Sequence, residues 1–174
     1  FIWWPITTTN IKESGNYCYV VHNFFTKNNN DKKTIFVKSK EELTFPKNKV
    51  ETLKNEAESI LNGDYLFFSS TKFTLGFDYD WVSNPETGFK YDISKHWSQI
   101  NDYSSESGDI KYVWEKSRFS FLNTIIRYDY HFDEDQSEFV FSEIENWIDK
   151  NPINMGPNYV CSQEMTIRCF NWIF

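Results

Sequence analysis

Apolar positions recur at helical spacing through the C-terminal third of the chain. Ile110, Trp114, Ser117, Phe121, Ile125, Tyr128 and Phe132 lie three or four residues apart, which keeps them on one face of a 3.6-residue helix. Leu122 and Ile126 widen that stripe. The pattern predicts one helix from Asp109 to about His131, closed by the charged, turn-forming Asp133-Glu134-Asp135. Lys111 and Glu115, and Glu115 and Arg118, are spaced to pair along it, at about 0.2–0.5 kcal/mol per pair. Burial of the aromatic stripe must therefore supply most of its stability. A second helix is expected from about Gln136 to Asp149. Ser137 serves as its N-cap, acidic residues sit near its start, and Val140, Phe141, Ile144, Trp147 and Ile148 form its apolar face. Asn151-Pro152 stops it, because the residue before proline avoids the helical region. Asn154, Gly156 and Pro157 make a loop, and a third helix follows from about Ser162. Met165, Cys169, Trp172 and Ile173 share one side of it, and Glu164 and Arg168 stand in the favourable order for a pair four apart. The apolar pattern is still running at Phe174, so the expectation is a segment of a longer protein.

Upstream, Lys49 to Asn62 carries Val50, Leu53, Ala57, Ile60 and Leu61 on one helical face, with Gly63 at the position after the helix. Tyr65-Leu66-Phe67-Phe68 and Phe73 to Phe77 read as short extended runs. Asp80 to Phe89 is irregular, with Asn-Pro and Thr-Gly turn signals, and Asp102 to Gly108 reads as a polar loop. Tyr17 to Val21 and Thr34 to Val37 favour two strands joined by the polar turn Asn28 to Lys33. Ser39 to Asn48 reads as a linker. The expected division is an N-terminal β or irregular segment, 1–48, and a helical region, 49–174.

Composition narrows the chemistry. The chain has 174 residues, enough for one domain or one domain and part of another, and 20% are aromatic: 17 Phe, 10 Tyr and 7 Trp. Such residues fill a core or line a groove where flat faces stack on sugars or bases. A net charge of −7 argues against nucleic acid, which requires a basic stripe, but leaves room for an acidic polysaccharide at a local Arg/Lys cluster. Cys18, Cys161 and Cys169 read as free thiols, with a bridge from Cys18 as the alternative. His22, His96 and His131 are scattered, and no Cys or His spacing suits a metal. No phosphate-binding glycine loop or nucleophile elbow implies a cofactor or a serine nucleophile. No apolar run is long enough to span a membrane. Asp78 with Asp80, and Asp133 with Asp135, could pair for acid–base work, although a turn and a helix start account for them.

The order of motifs adds a second kind of information. The helix ending at Gly63 leads to Phe67. Asp80-Trp81, Asn84-Pro85-Glu86-Thr87-Gly88, Trp97 and Ile100 come next. Asp109-Ile110-Lys111, Trp114-Glu115, Arg118, Trp147-Ile148 and Asn151-Pro152 follow. The series closes on Gly156, Asn158, Glu164, Arg168 and Asn171-Trp172. This set resembles the N-terminal region of heparinase II/III-like proteins, a group that includes lyases of heparin-type glycans and alginate. The resemblance covers about residues 50 to 174. Tyr159 departs from it, standing where the family usually carries Trp.

The resemblance implies a mostly α fold: part of an incomplete α/α toroid, normally followed by further toroid helices and a β-sandwich in the same chain. It also implies β-elimination next to a uronic acid and a periplasmic or cell-envelope location. In such lyases the base and the proton-transferring Tyr or His lie mainly downstream, in an Asn-His-bearing helix and beyond. No matching Asn-His pair occurs here, so no catalytic residue is expected in this segment. What it would supply is cleft wall. Asn158 and Tyr159 stand near free backbone donors at a helix start. Arg118, Glu164 and Arg168 are polar residues on apolar helices, suited to a carboxylate or to a buried ion-pair network. Trp81 and Trp114 could stack on sugars or pack in the core.

Overall fold

The structure is a computed structural model describing residues 45–173, of which Lys49–Trp172 pack into one compact unit. The two expected N-terminal strands, their hairpin, Cys18 and His22 lie outside the described residues. The described part is mostly helical, with two small antiparallel hairpins. Helix α1 (Glu51–Leu61) leads into strands β1 (Asp64–Phe67) and β2 (Thr71–Thr74). A long irregular connection carries a short 3-10 turn at Trp97–Gln99 and strands β3 (Tyr103–Ser104) and β4 (Gly108–Asp109). Helices α2 (Lys111–Ser117), α3 (Leu122–Phe132) and α4 (Ser137–Lys150) follow. A 3-10 turn at Pro157–Tyr159 precedes α5 (Ser162–Ile173). Among the described residues, no helix is long and apolar enough to cross a membrane.

Helix α1 buries Leu53, Ala57 and Ile60 as its periodicity predicts, while Val50 stays exposed. Its end requires glycine: Gly63 has φ +83°, and a Cβ there would lie 2.7 Å from Gly76 Cα. The first extended run pairs with Thr71–Thr74, Asp64 opposite Thr74 through Phe67 opposite Thr71, so the second strand starts and ends earlier than the expected Phe73–Phe77. Phe68 and Ser69 both take positive φ in the tight turn between them, the conformation that matches strand twist.

The single helix expected from Asp109 to His131 is two. Phe119 adopts φ +59° and is fully buried, stacked on Trp81 at 5.2 Å with planes 17° apart. Seating that ring in the core turns the backbone out of the helical path. The apolar stripe nevertheless survives the break, because Ile110, Trp114, Ser117, Ile125 and Tyr128 are all buried. Asp102 to Gly108 also differs from expectation: its two ends pair as the β3–β4 hairpin, and Gly108 takes φ +66°.

At α4, the cap is Gln136 with no side-chain bond. Ser137 is the first helical residue, and its amide donates to Asp135 Oδ1 at 3.1 Å. The face buried on α4 contains Val140, Ile144, Trp147 and Glu143, while Ile148 is exposed. Helix α5 keeps only part of its expected apolar side inward: Trp172 packs edge-on against Phe119 and Trp147. Glu164 and Arg168 are its buried residues, whereas Cys169 and Ile173 are exposed. The helix docks through these two charges as well as Trp172, because its neighbours present carbonyls and an arginine, described below. Cys161 and Cys169 are free thiols.

The irregular connection is ordered by side chains that replace missing ladder bonds. Asp80 accepts from Val82 N, Ser83 N and Ser83 Oγ, the local capping of a turn. Burial opposes ionisation of Asp80, but the bonds to Ser83 and Lys90 prevail and hold its pKa below the usual 3.8. Fully buried Asn84 donates to the carbonyls of Ser107 and Asp109 and accepts from Glu86 N. It thereby fastens the Asn-Pro turn to the second hairpin. Beneath these loops Val82, Tyr91, Ile110, Val113 and Trp114 form a core cluster.

Candidate functional site

The turn between α4 and α5 is the centre of a buried polar frame. Asn151, at the end of α4, donates to Trp147 O at 2.8 Å. Asn158 is fully buried and donates through Nδ2 to Trp81 O and to Asn151 Oδ1, both at 2.8 Å. The Tyr159 hydroxyl donates to Asn151 O at 3.2 Å, and Trp114 Nε1 donates to Pro157 O at 2.9 Å. Trp81 Nε1 reaches Asn146 Oδ1 at 2.7 Å. The turn's own side chains and Trp114 thus satisfy carbonyls that no α-helix or strand pairs.

Two arginines complete the frame. Arg168 donates through Nε to Ser117 O at 2.6 Å and through its two terminal nitrogens to Asn158 O. Its guanidinium lies 4.1 Å from the centroid of the Trp147 ring. Burial lowers its pKa to about 10. Arg118 forms a fork on Glu164, at 2.5 and 2.9 Å, and also pairs with Glu115. The Glu164 hydrogen bond is the main cause that raises the Arg118 pKa. Glu164 therefore pairs across helices with Arg118 rather than along α5 with Arg168. Lys111 likewise pairs with Asp109 rather than Glu115.

A second polar centre had no signal in the sequence. Lys116 lies on α2 beside the apolar stripe, yet it is 2% exposed. Its Nζ is 2.8 Å from Glu143 Oε2. Three rings surround the ammonium, with centroids 4.6 Å away at Tyr65, 5.4 Å at Tyr79 and 4.1 Å at Trp81. Burial lowers the Lys116 pKa while Glu143 opposes that shift. Burial also pushes the hydroxyls of Tyr65 and Tyr79 well above the ordinary tyrosine range. Helical spacing cannot report this site, because its rings come from β1 and the Asp80 turn and its carboxylate from α4.

Lys116 also lines the floor of an open cleft of about 530 Å³ between α1, β1 and the start of α3. Of the seven residues expected to meet substrate, none lines this cleft. Trp81, Trp114, Asn158, Tyr159, Glu164 and Arg168 are buried, and Arg118 is partly buried. The structure brings all seven into the frame. Their polar groups point at protein partners, apart from the buried Asn158 Oδ1, which has none, and the Trp81 face that a sugar would use carries Phe119. The paired carboxylates are structural as well: Asp80 caps its turn and Asp135 receives the first amide of α4. Compared with known protein families, curated proteins and solved structures, the chain matches none.

Proposed function

We propose that this chain is part of a polysaccharide lyase-like protein that cleaves an acidic, uronate-containing glycan by β-elimination. Residues 49–174 supply frame and cleft wall of an α/α toroid, and the reacting groups belong elsewhere in the protein. One observation carries this reading. The separated positions that resemble the heparinase II/III-like motif set meet in one hydrogen-bonded frame: Trp81, Trp114, Arg118, Trp147, Asn151, Asn158, Glu164, Arg168 and, through its bond to Arg118 O, Asn171, with Ser117 accepting from Trp147 and Arg168. An ordered motif set whose members converge in space is what a shared fold requires. The burial of the seven candidate side chains favours a supporting role for them over contact with sugar.

The test is to incubate the natural full-length protein with alginate and heparin-type polymers and follow the ultraviolet absorbance of unsaturated uronate ends. Product should form with the full protein and not with residues 49–174 alone. Absence of product from every uronate polymer would remove the lyase reading and leave a non-catalytic glycan-binding or assembly protein. Asn158→Ala separates frame from cleft. It strands Trp81 O and Asn151 Oδ1, so unfolding stability should fall by about 1–3 kcal/mol while activity per folded molecule holds. Lost activity at unchanged stability would instead place Asn158 against substrate.

A further inference from the structure

The cleft between α1, the β1–β2 hairpin and the start of α3 touches the frame at Glu115, but its lining has a distinct chemistry. Its volume of about 530 Å³ lies within the range of small-molecule sites, about 300–1,000 Å³. Every cation that lines it already has an anion of the protein: Lys72 holds Asp64 at 2.8 Å and Lys116 holds Glu143 at 2.8 Å. Glu115 is committed to Arg118. The remaining charge in the lining is Glu56, an anion on α1. Around it stand the uncharged groups Asn55, Ser59, Ser120 and Thr124, with Leu66 and Phe121 as apolar surface. Among the described residues, the side chains of Asn55, Ser59 and Thr124 make no hydrogen bond.

We infer that this cleft binds a neutral, hydroxyl-rich ligand, namely an uncharged sugar unit. A carboxylate entering it would meet no uncommitted cation and would face Glu56. A sugar hydroxyl can donate to Glu56 in a charge-assisted hydrogen bond, and neighbouring hydroxyls can exchange bonds with Asn55, Ser59 and Thr124. The C–H face of the ring then packs on Phe121 and Leu66. The inference is independent of the lyase reading and gives this face a ligand of opposite character to a uronate.

The experiment is an NMR titration of the 174-residue chain with maltotriose and cellotriose as neutral probes and triguluronate as the acidic one. At least one neutral probe should bind, with shifts at Ser59, Leu66 and Thr124. Glu56→Gln, at an exposed position, should weaken that binding roughly tenfold, as expected for a hydrogen bond to a charged group. Thr124→Trp, which fills the cleft, should abolish it. Triguluronate should leave the cleft resonances unmoved. The inference falls if neither neutral probe binds, if Glu56→Gln binds as well as the parent, or if triguluronate occupies the cleft. Glu56→Gln keeps the test decisive should Thr124→Trp fail to fold. None of these outcomes alters product formation on uronate polymers, so this inference and the lyase reading fail separately.

Discussion

Lys116 and Glu143 place two charges inside the protein, and the interior tolerates them only as a pair. The ammonium is held by one carboxylate and three aromatic faces, which compensate part of its lost hydration. Removing one partner leaves the other buried without its counter-charge, a loss of about 3–5 kcal/mol in comparable sites. Lys116→Met and Glu143→Leu should each destabilise on that scale in urea unfolding. The double variant should recover most of the loss, because apolar side chains of similar volume replace both charges. Additive single effects would show that the two residues do not act as a unit. Asn158 differs in kind. It is neutral and joins three stretches of chain through Trp81 O, Asn151 Oδ1 and its own carbonyl to Arg168, so no apolar residue can substitute for it.

Elements in this protein end where a backbone conformation or a buried ring demands it. Gly63 closes α1 and lets the backbone of Gly76 pass beside it, whereas Gly88 has positive φ but open space around its Cα. The two glycines separate conformational from steric cost. Gly88→Ala should lose only the left-handed penalty, about 1–2 kcal/mol. Gly63→Ala bears that penalty plus a clash with main chain, so its melting temperature should fall clearly further. Equal losses would show that the Gly63–Gly76 approach is not tight. Phe119 illustrates the opposite case: a ring stacked on Trp81 and set edge-on to Trp172 at 5.3 Å interrupts a helix that the local sequence favours. Packing of a large aromatic, about 3–5 kcal/mol when truncated, outweighs the few backbone bonds lost at the break.

At the scale of the whole molecule, carboxylates held by local bonds set the response to low pH. Among the described residues, Asp64, Asp80 and Asp92 are held below the usual 3.8 by hydrogen bonds or a lysine. A carboxylate whose folded pKa is depressed contributes stability above its unfolded pKa and loses it as pH falls through the folded value. The melting temperature should therefore hold through mildly acidic pH and drop below about pH 3.8. Asp80 accepts the most bonds of the three, from Val82, Ser83 and Lys90, so Asp80→Asn should flatten that drop; an unchanged acid limb would assign it to other groups. The same division between local and distant causes explains how far the chain could be read. Periodicity, glycine and proline pointed to the mostly helical character of the described residues. They located α1, α4 and α5 within a residue or two, fixed the stop at Asn151-Pro152, and assigned the register of the Ile110–Tyr128 stripe, because these depend on neighbours three or four residues away. The pairing of Arg118 with Glu164, the polar face on which α5 docks, the break at Phe119 and the caged Lys116 were decided only by the tertiary structure. Each depends on groups brought together from distant segments, where the requirement to satisfy every buried charge and carbonyl overrides the preference of the local sequence.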